Sequence, residues 1–133
     1  MHTTNYFNTL ILASTDCAAK GGTIPPKPGT IAALQYEMMS VAPYKITSDD
    51  LLLAVEAQRE GIKAAKLPKF REEFFAEPHA CLRCSPLVKT YGWGIHHDAK
   101  GKVALVGRQT GEYKKLAENP DVKKVPGMRS RRA

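Results

Sequence analysis

The stretch that decides the fold is Tyr91-Gly92-Trp93-Gly94-Ile95-His96-His97-Asp98-Ala99-Lys100-Gly101-Lys102-Val103-Ala104-Leu105-Val106. Its first half has a period of two: Tyr91, Trp93, Ile95 and His97 alternate with Gly92, Gly94, His96 and Asp98. Successive side chains on a strand point to opposite faces, so the alternation sorts these residues into two sets. Asp98-Ala99-Lys100-Gly101 supplies turn chemistry, and Val103 to Val106 is a compact apolar run. The pattern predicts a β-hairpin over about 91–107. Tyr91, Trp93 and Ile95 belong to the core side, with His97 on the same face. Gly92, Gly94, His96 and Asp98 share the other side. Two glycines there leave open space over the strand, which either a ligand or a packed helix can fill.

Working outward, Tyr6 to Ser14 reads as a strand through Phe7, Leu10, Ile11 and Leu12. Gly21 to Gly29, with Pro25, Pro26 and Pro28, reads as a loop. Thr30 can cap a helix over Ile31 to Met39, which Ala42-Pro43 ends. Thr47, Ser48, Asp49 and Asp50 open a second helix with capping hydroxyls and first-turn acids, and Gly61 suits its C-terminal cap. A third, short helix is expected over Pro68 to Ala76, with Phe70 and Phe74 stacked at i, i+4. Thr110 can cap a last helix through Tyr113 and Leu116. The expected fold is α+β: a small antiparallel sheet containing the hairpin, with three or four helices packed on it. Residues 1–126 form the expected single domain, and 127–133 a short basic tail.

Composition narrows the class. A hydrophobic fraction of 43% is too high for a disordered chain and ordinary for a globular one. No apolar run approaches the roughly 20 residues of a membrane span, and the first residues lack a signal-peptide pattern. Cys17, Cys81 and Cys84 are odd in number and make no disulfide framework, which leads to an expected cytoplasmic location. The net charge of +7 is uneven. Lys114, Lys115, Lys123, Lys124, Arg129, Arg131 and Arg132 crowd the last twenty residues against Glu118 and Asp121. Such asymmetry points to an anionic partner, with Lys123, Lys124, Arg129, Arg131 and Arg132 as the nucleic-acid-binding candidates. A solvated tail that aids solubility is the plain alternative.

The residues with most chemistry fall between His79 and Asp98. His79, Cys81 and Cys84 have some metal-ligand character, but one C-x-x-C supplies only two ligands, and no metal is expected. Two buried thiols packing as small hydrophobes is the simpler reading. Arg83, Ser85 and Lys89 offer a guanidinium, a hydroxyl and an ammonium, which together can bind a phosphate or carboxylate. His96 and Asp98, on one side of the strand, are the candidate acid–base pair. Tyr44, at a helix end, can face the same cleft or lie half-buried at the surface. No phosphate-cradling glycine loop and no G-x-S-x-G element is present.

Several strings together resemble one family: Asn5-Tyr6-Phe7-Asn8-Thr9, Leu34-Gln35-Tyr36-Glu37, Pro43-Tyr44-Lys45, Thr47-Ser48-Asp49-Asp50, Tyr91 to Asp98, and Met128-Arg129-Ser130. The sequence resembles a family of small bacterial proteins known as a domain of unknown function, family 6157. The resemblance runs nearly end to end. It implies a single cytoplasmic domain and carries over no activity. The leading expectation is a binding module for an anionic ligand, nucleic acid or nucleotide, with Arg83, Ser85, Lys89, Gly92, Gly94 and His96 at the site and no cofactor. The alternatives are a small enzyme using an acid–base or metal site at His96 and Asp98, and a structural or protein-interaction module.

Overall fold

The computed structural model describes residues 2–129. The apolar run near the N-terminus forms β1 (Thr9–Leu12), and the predicted hairpin forms β2 (Trp93–His97) and β3 (Val103–Gly107). β4 (Lys123–Pro126) completes a four-stranded sheet in the order β3-β2-β1-β4. β2 is antiparallel to both β1 and β3, but β4 runs parallel to β1. The sheet is therefore mixed, where the sequence led us to expect an antiparallel one.

The physical reason lies in β4 itself. Lys-Lys-Val-Pro has no apolar alternation and reads as part of a basic tail. As an edge strand it needs bonds along one side only. The Lys123 N–H donates to the Asn8 carbonyl and the Gly127 N–H to that of Leu12. Pro126 falls between these inward-facing amides, at a position whose missing N–H costs no ladder bond. The chain stays bonded past the expected boundary at residue 126: the Met128 N–H donates to Arg83 O at 2.8 Å, and Ser14 Oγ donates to the Met128 carbonyl.

Among the described residues five helices are found where three or four were expected, and three of them start where the capping threonines placed them. Thr30 accepts from the Ala33 N–H at the head of α1 (Ile31–Val41), and Thr47 from Asp50 at the head of α2 (Ser48–Glu60). Gly61 ends α2 in the left-handed conformation, φ 67°. α3 (Leu67–Phe75) carries Pro68 in its first turn. α4 (Pro86–Lys89) is a single turn capped by Ser85, and α5 (Gly111–Glu118) is capped by Thr110. One face of the sheet, with Ile11, Ile95 and Val103, packs against Met39 of α1, Leu51 and Val55 of α2, and Leu87 and Val88 of α4. The other face, with Leu10, Ala104 and Val106 buried, lies under α5. α2 is also pinned by the N-terminal segment. Buried Asp49 accepts from the Thr4 N–H and hydroxyl, both at 2.7 Å, and its own N–H donates to Asn5 Oδ1. No helix among the described residues is long and apolar enough to cross a membrane.

Candidate functional site

The alternation along β2 is as the sequence indicated. Ile95 and His97 are fully buried on the core side, and Trp93 packs there against Tyr36, its indole N–H donating to the Thr23 carbonyl at 2.8 Å. Of the two fillings expected over Gly92 and Gly94, a ligand or a packed helix, it is the protein's own chain that occupies the space. A Cβ on Gly94 would stand 2.7 Å from the Tyr113 ring, because α5 places that ring over the strand. The Tyr113 hydroxyl reaches on to accept from the Ala13 N–H. Gly92 has φ 76°, and a Cβ there would meet the Gly21 carbonyl at 2.2 Å. Both glycines make room for the protein's own chain.

His96 lies beyond this cover, half-buried on the same face. Its partner is not Asp98. The Tyr44 hydroxyl lies 2.9 Å from His96 Nδ1, with the two rings edge to face at 5.6 Å. Tyr44 is held in the left-handed region at φ 60°, an uncommon and strained conformation for an aromatic residue. Its backbone is fixed there by the edge of β3: the Tyr44 N–H donates to the Val103 carbonyl, and the Val103 N–H to that of Ile46. Asp98 instead organises the hairpin turn, its Oδ1 accepting from the N–H groups of Lys100 and Lys102 at 2.9 and 2.8 Å.

The electrostatics define the state of the pair. Burial lowers the His96 pKa, partly offset by the charges of Asp98 and Glu112. Burial raises that of Tyr44, helped by the same two carboxylates. At neutral pH the ring is therefore uncharged and the phenol keeps its proton. A phenol has one hydrogen, and a neutral imidazole has one acceptor nitrogen. Tyr44 can thus donate to Nδ1, with the His96 proton on Nε2, or accept from a protonated Nδ1 in the other tautomer. Among the described residues no hydrogen bond engages Nε2. Beside Tyr44 a cavity of about 360 Å3 opens, lined also by Asp98, Ala99, Lys100 and Lys102.

The other candidates do not converge. Ser85 is buried and committed, donating to Gln35 Oε1 at 2.6 Å while capping α4. Arg83 donates from Nε to the Pro126 carbonyl at 2.6 Å, which ties it to β4. Among the described residues Lys89, at the end of α4, makes no side-chain hydrogen bond or ion pair. His79 stacks on Phe74 at 3.7 Å and donates from Nε2 to its carbonyl. Cys81 meets the Tyr6 hydroxyl at 3.3 Å. Among the described residues no three His, Cys, Asp or Glu side chains gather to hold a metal ion. Lys123 is exposed on β4, Lys124 turns its ammonium onto the Asn119 and Val122 carbonyls, and Arg129 is exposed. Arg131 and Arg132 lie outside the described residues. A larger cavity, about 610 Å3, opens between α1, α2 and α3, and none of its walls comes from the hairpin.

A family model described as a family of unknown function, DUF6157, matches residues 1–133. The chain belongs to the DUF6157 family. Neither a curated protein nor a solved structure matches it. Within this DUF6157 chain, sequence reasoning missed three features of the hairpin site. Tyr113 covers Gly94, Glu112 adds charge, and the left-handed turn presents Tyr44. The first two follow from where α5 docks, and the third from a backbone angle with no residue signature.

Proposed function

We propose that this DUF6157 protein is a small binding module for an anionic ligand, and that the ligand binds at the mouth of the β2–β3 hairpin. The observation that carries this reading is the 2.9 Å contact between Tyr44 and His96 Nδ1. With Tyr44 as donor, it leaves the Nε2–H of a neutral ring as an oriented donor, held by a residue in a strained backbone conformation. Lys100 and Lys102 stand on the adjoining cavity and supply positive charge, and Asp98, also on its wall, has Oδ1 engaged by two turn amides. A phosphate or carboxylate group, as in a nucleotide, has the acceptors and charge to match. Arg83 and Ser85, expected in the same role, are held by other contacts, Lys89 does not line the cavity, and the three are left out of the site.

Titration calorimetry of the protein with inorganic phosphate, a nucleoside monophosphate and a short DNA tests the reading. Binding of one of the three that is lost in both His96→Ala and Lys100→Ala/Lys102→Ala supports it. Binding unaffected by either variant, or no binding by any, rejects it. Binding of DNA alone, lost instead on neutralising Lys123 and Arg129, would return the function to the basic C-terminal residues.

A further inference from the structure

The 610 Å3 cavity between α1, α2 and α3 has an apolar floor and an acidic rim. Leu52 and Val55 of α2 and Phe70 and Phe74 of α3 make the floor. Glu56 and Glu60, from the last turns of α2, and Glu73 and Glu77, on and just beyond α3, make the rim. The crowding of like charges shows in Glu60, whose pKa is raised mainly by hydrogen bonding to Glu56. The cations nearby do not cancel the rim. Arg59 pairs with Glu56 at 3.4 Å, both well exposed, and Arg71 pairs with Asp50 outside the cavity. Lys66 and Lys69 lie on a neighbouring depression that shares Phe70 and Glu73.

We infer that this groove docks a basic amphipathic helix of a partner protein. Charge complementarity selects the sign: on a chain of net charge +7, a basic segment is repelled by most of the surface and attracted here. The open form selects the size. Ile31, Glu60, Glu73, Glu77 and Ala80 are all exposed along its edge, so the groove lies open at its rim, as an extended partner needs. A trough between helices, apolar below and charged along the rim, matches the way an amphipathic helix is received, with apolar anchors at i, i+3 or i+4, and i+7. Arg59 would be displaced at little cost, since an exposed pair of this kind contributes little.

The test uses the full-length protein and a synthetic peptide of about 15 residues, long enough to reach marginal helicity. It carries Leu at i, i+3, i+4 and i+7 spacing and Lys elsewhere, and a control replaces every Lys by Glu. Amide chemical shifts are followed by NMR. The expected result is that the Lys peptide moves the signals of residues 52–60 and 70–80, that the Glu peptide does not, and that Glu56→Gln/Glu60→Gln/Glu73→Gln weakens binding about tenfold. These glutamates are exposed or half-exposed, and the same spectra verify that the variant is folded. Shifts confined to other surfaces, equal binding of both peptides, affinity unchanged in the triple variant, or no binding overturns the inference.

Discussion

His97 makes the fold sensitive to acid, by an amount that can be worked out. The ring is fully buried between strands, edge to face with Tyr6 at 5.4 Å and opposite Thr9 and Val103 in the ladder. Nδ1 lies 3.3 Å from the Ile95 carbonyl and so carries the proton, while Nε2 has no partner among the described residues. Protonation would put a charge on that unpartnered nitrogen in an apolar setting. Burial accordingly pushes the His97 pKa down to about 4, the small opposing effects being the Ile95 hydrogen bond and the charge of Asp98. In the unfolded chain the ring returns to about 6.5. A lowered folded value means that the unfolded state takes up the proton first. The stability from neutral His97 is complete above pH 6.5, declines below it, and is gone once the pH has fallen through 4. At about 1.4 kcal/mol per pH unit, the loss is about 3 kcal/mol. Urea melts of wild type and His97→Leu across this range measure it. The variant should lack this part of the pH dependence, and NMR should find the His97 ring titrating near 4. Identical pH profiles for the two proteins, or a ring that titrates at its ordinary value, would refute the reasoning.

Other consequences can be measured in the same way. Gly94→Val should destabilise by about 1–3 kcal/mol, because the Tyr113 ring and the Ile11 carbonyl occupy the space its side chain needs; an unchanged urea midpoint would mean that α5 does not cover β2. Trp93→Ala should cost about 3 kcal/mol or more, since Trp93 packs on Tyr36 and Gly22, whereas His96→Ala should stay near 1 kcal/mol; the reverse order would place the two residues on the wrong faces. Truncation after Pro126 removes the bonds that Gly127 and Met128 make to Leu12, Arg83 and Ser14, and should lower Tm by about 4 °C or more in a thermal melt; no change would show those contacts to be idle. If the basic C-terminal residues draw in nucleic acid, anisotropy with a short DNA should weaken steeply with salt and show little sequence preference, and sequence-selective binding would contradict that.

The comparison of sequence with structure is instructive element by element. The hairpin and three capped helices were legible because their signals are local: an alternation, a turn, a threonine three residues ahead of the amide it accepts from. β4 was not, because an edge strand built from Lys-Lys-Val-Pro takes its identity from the neighbour it pairs with. Gly92 and Gly94 announced a close approach, but only the docking of α5 and of the Gly21 loop shows that the protein itself makes it. Part of the family-like signature is likewise internal. Asn5 and Asp49 belong to two of the recognisable strings and hydrogen-bond to each other. Tyr44 and His96 belong to two more and also meet, but at the surface and with one ring nitrogen unused. For the second pair the contact itself leaves chemistry to spare, and that difference supports a binding role there.

The measurement closest to the central claim is imidazole nitrogen NMR of His96 during titration with a nucleoside monophosphate at neutral pH. Before ligand, the ring should be neutral with its proton on Nε2, as donation from Tyr44 to Nδ1 requires. On addition of ligand, the Nε2 signal should move in a saturable way, together with the amides of Lys100 and Lys102. A proton found on Nδ1 in the free protein, or a His96 signal that stays still while other parts of the protein respond, would contradict the account.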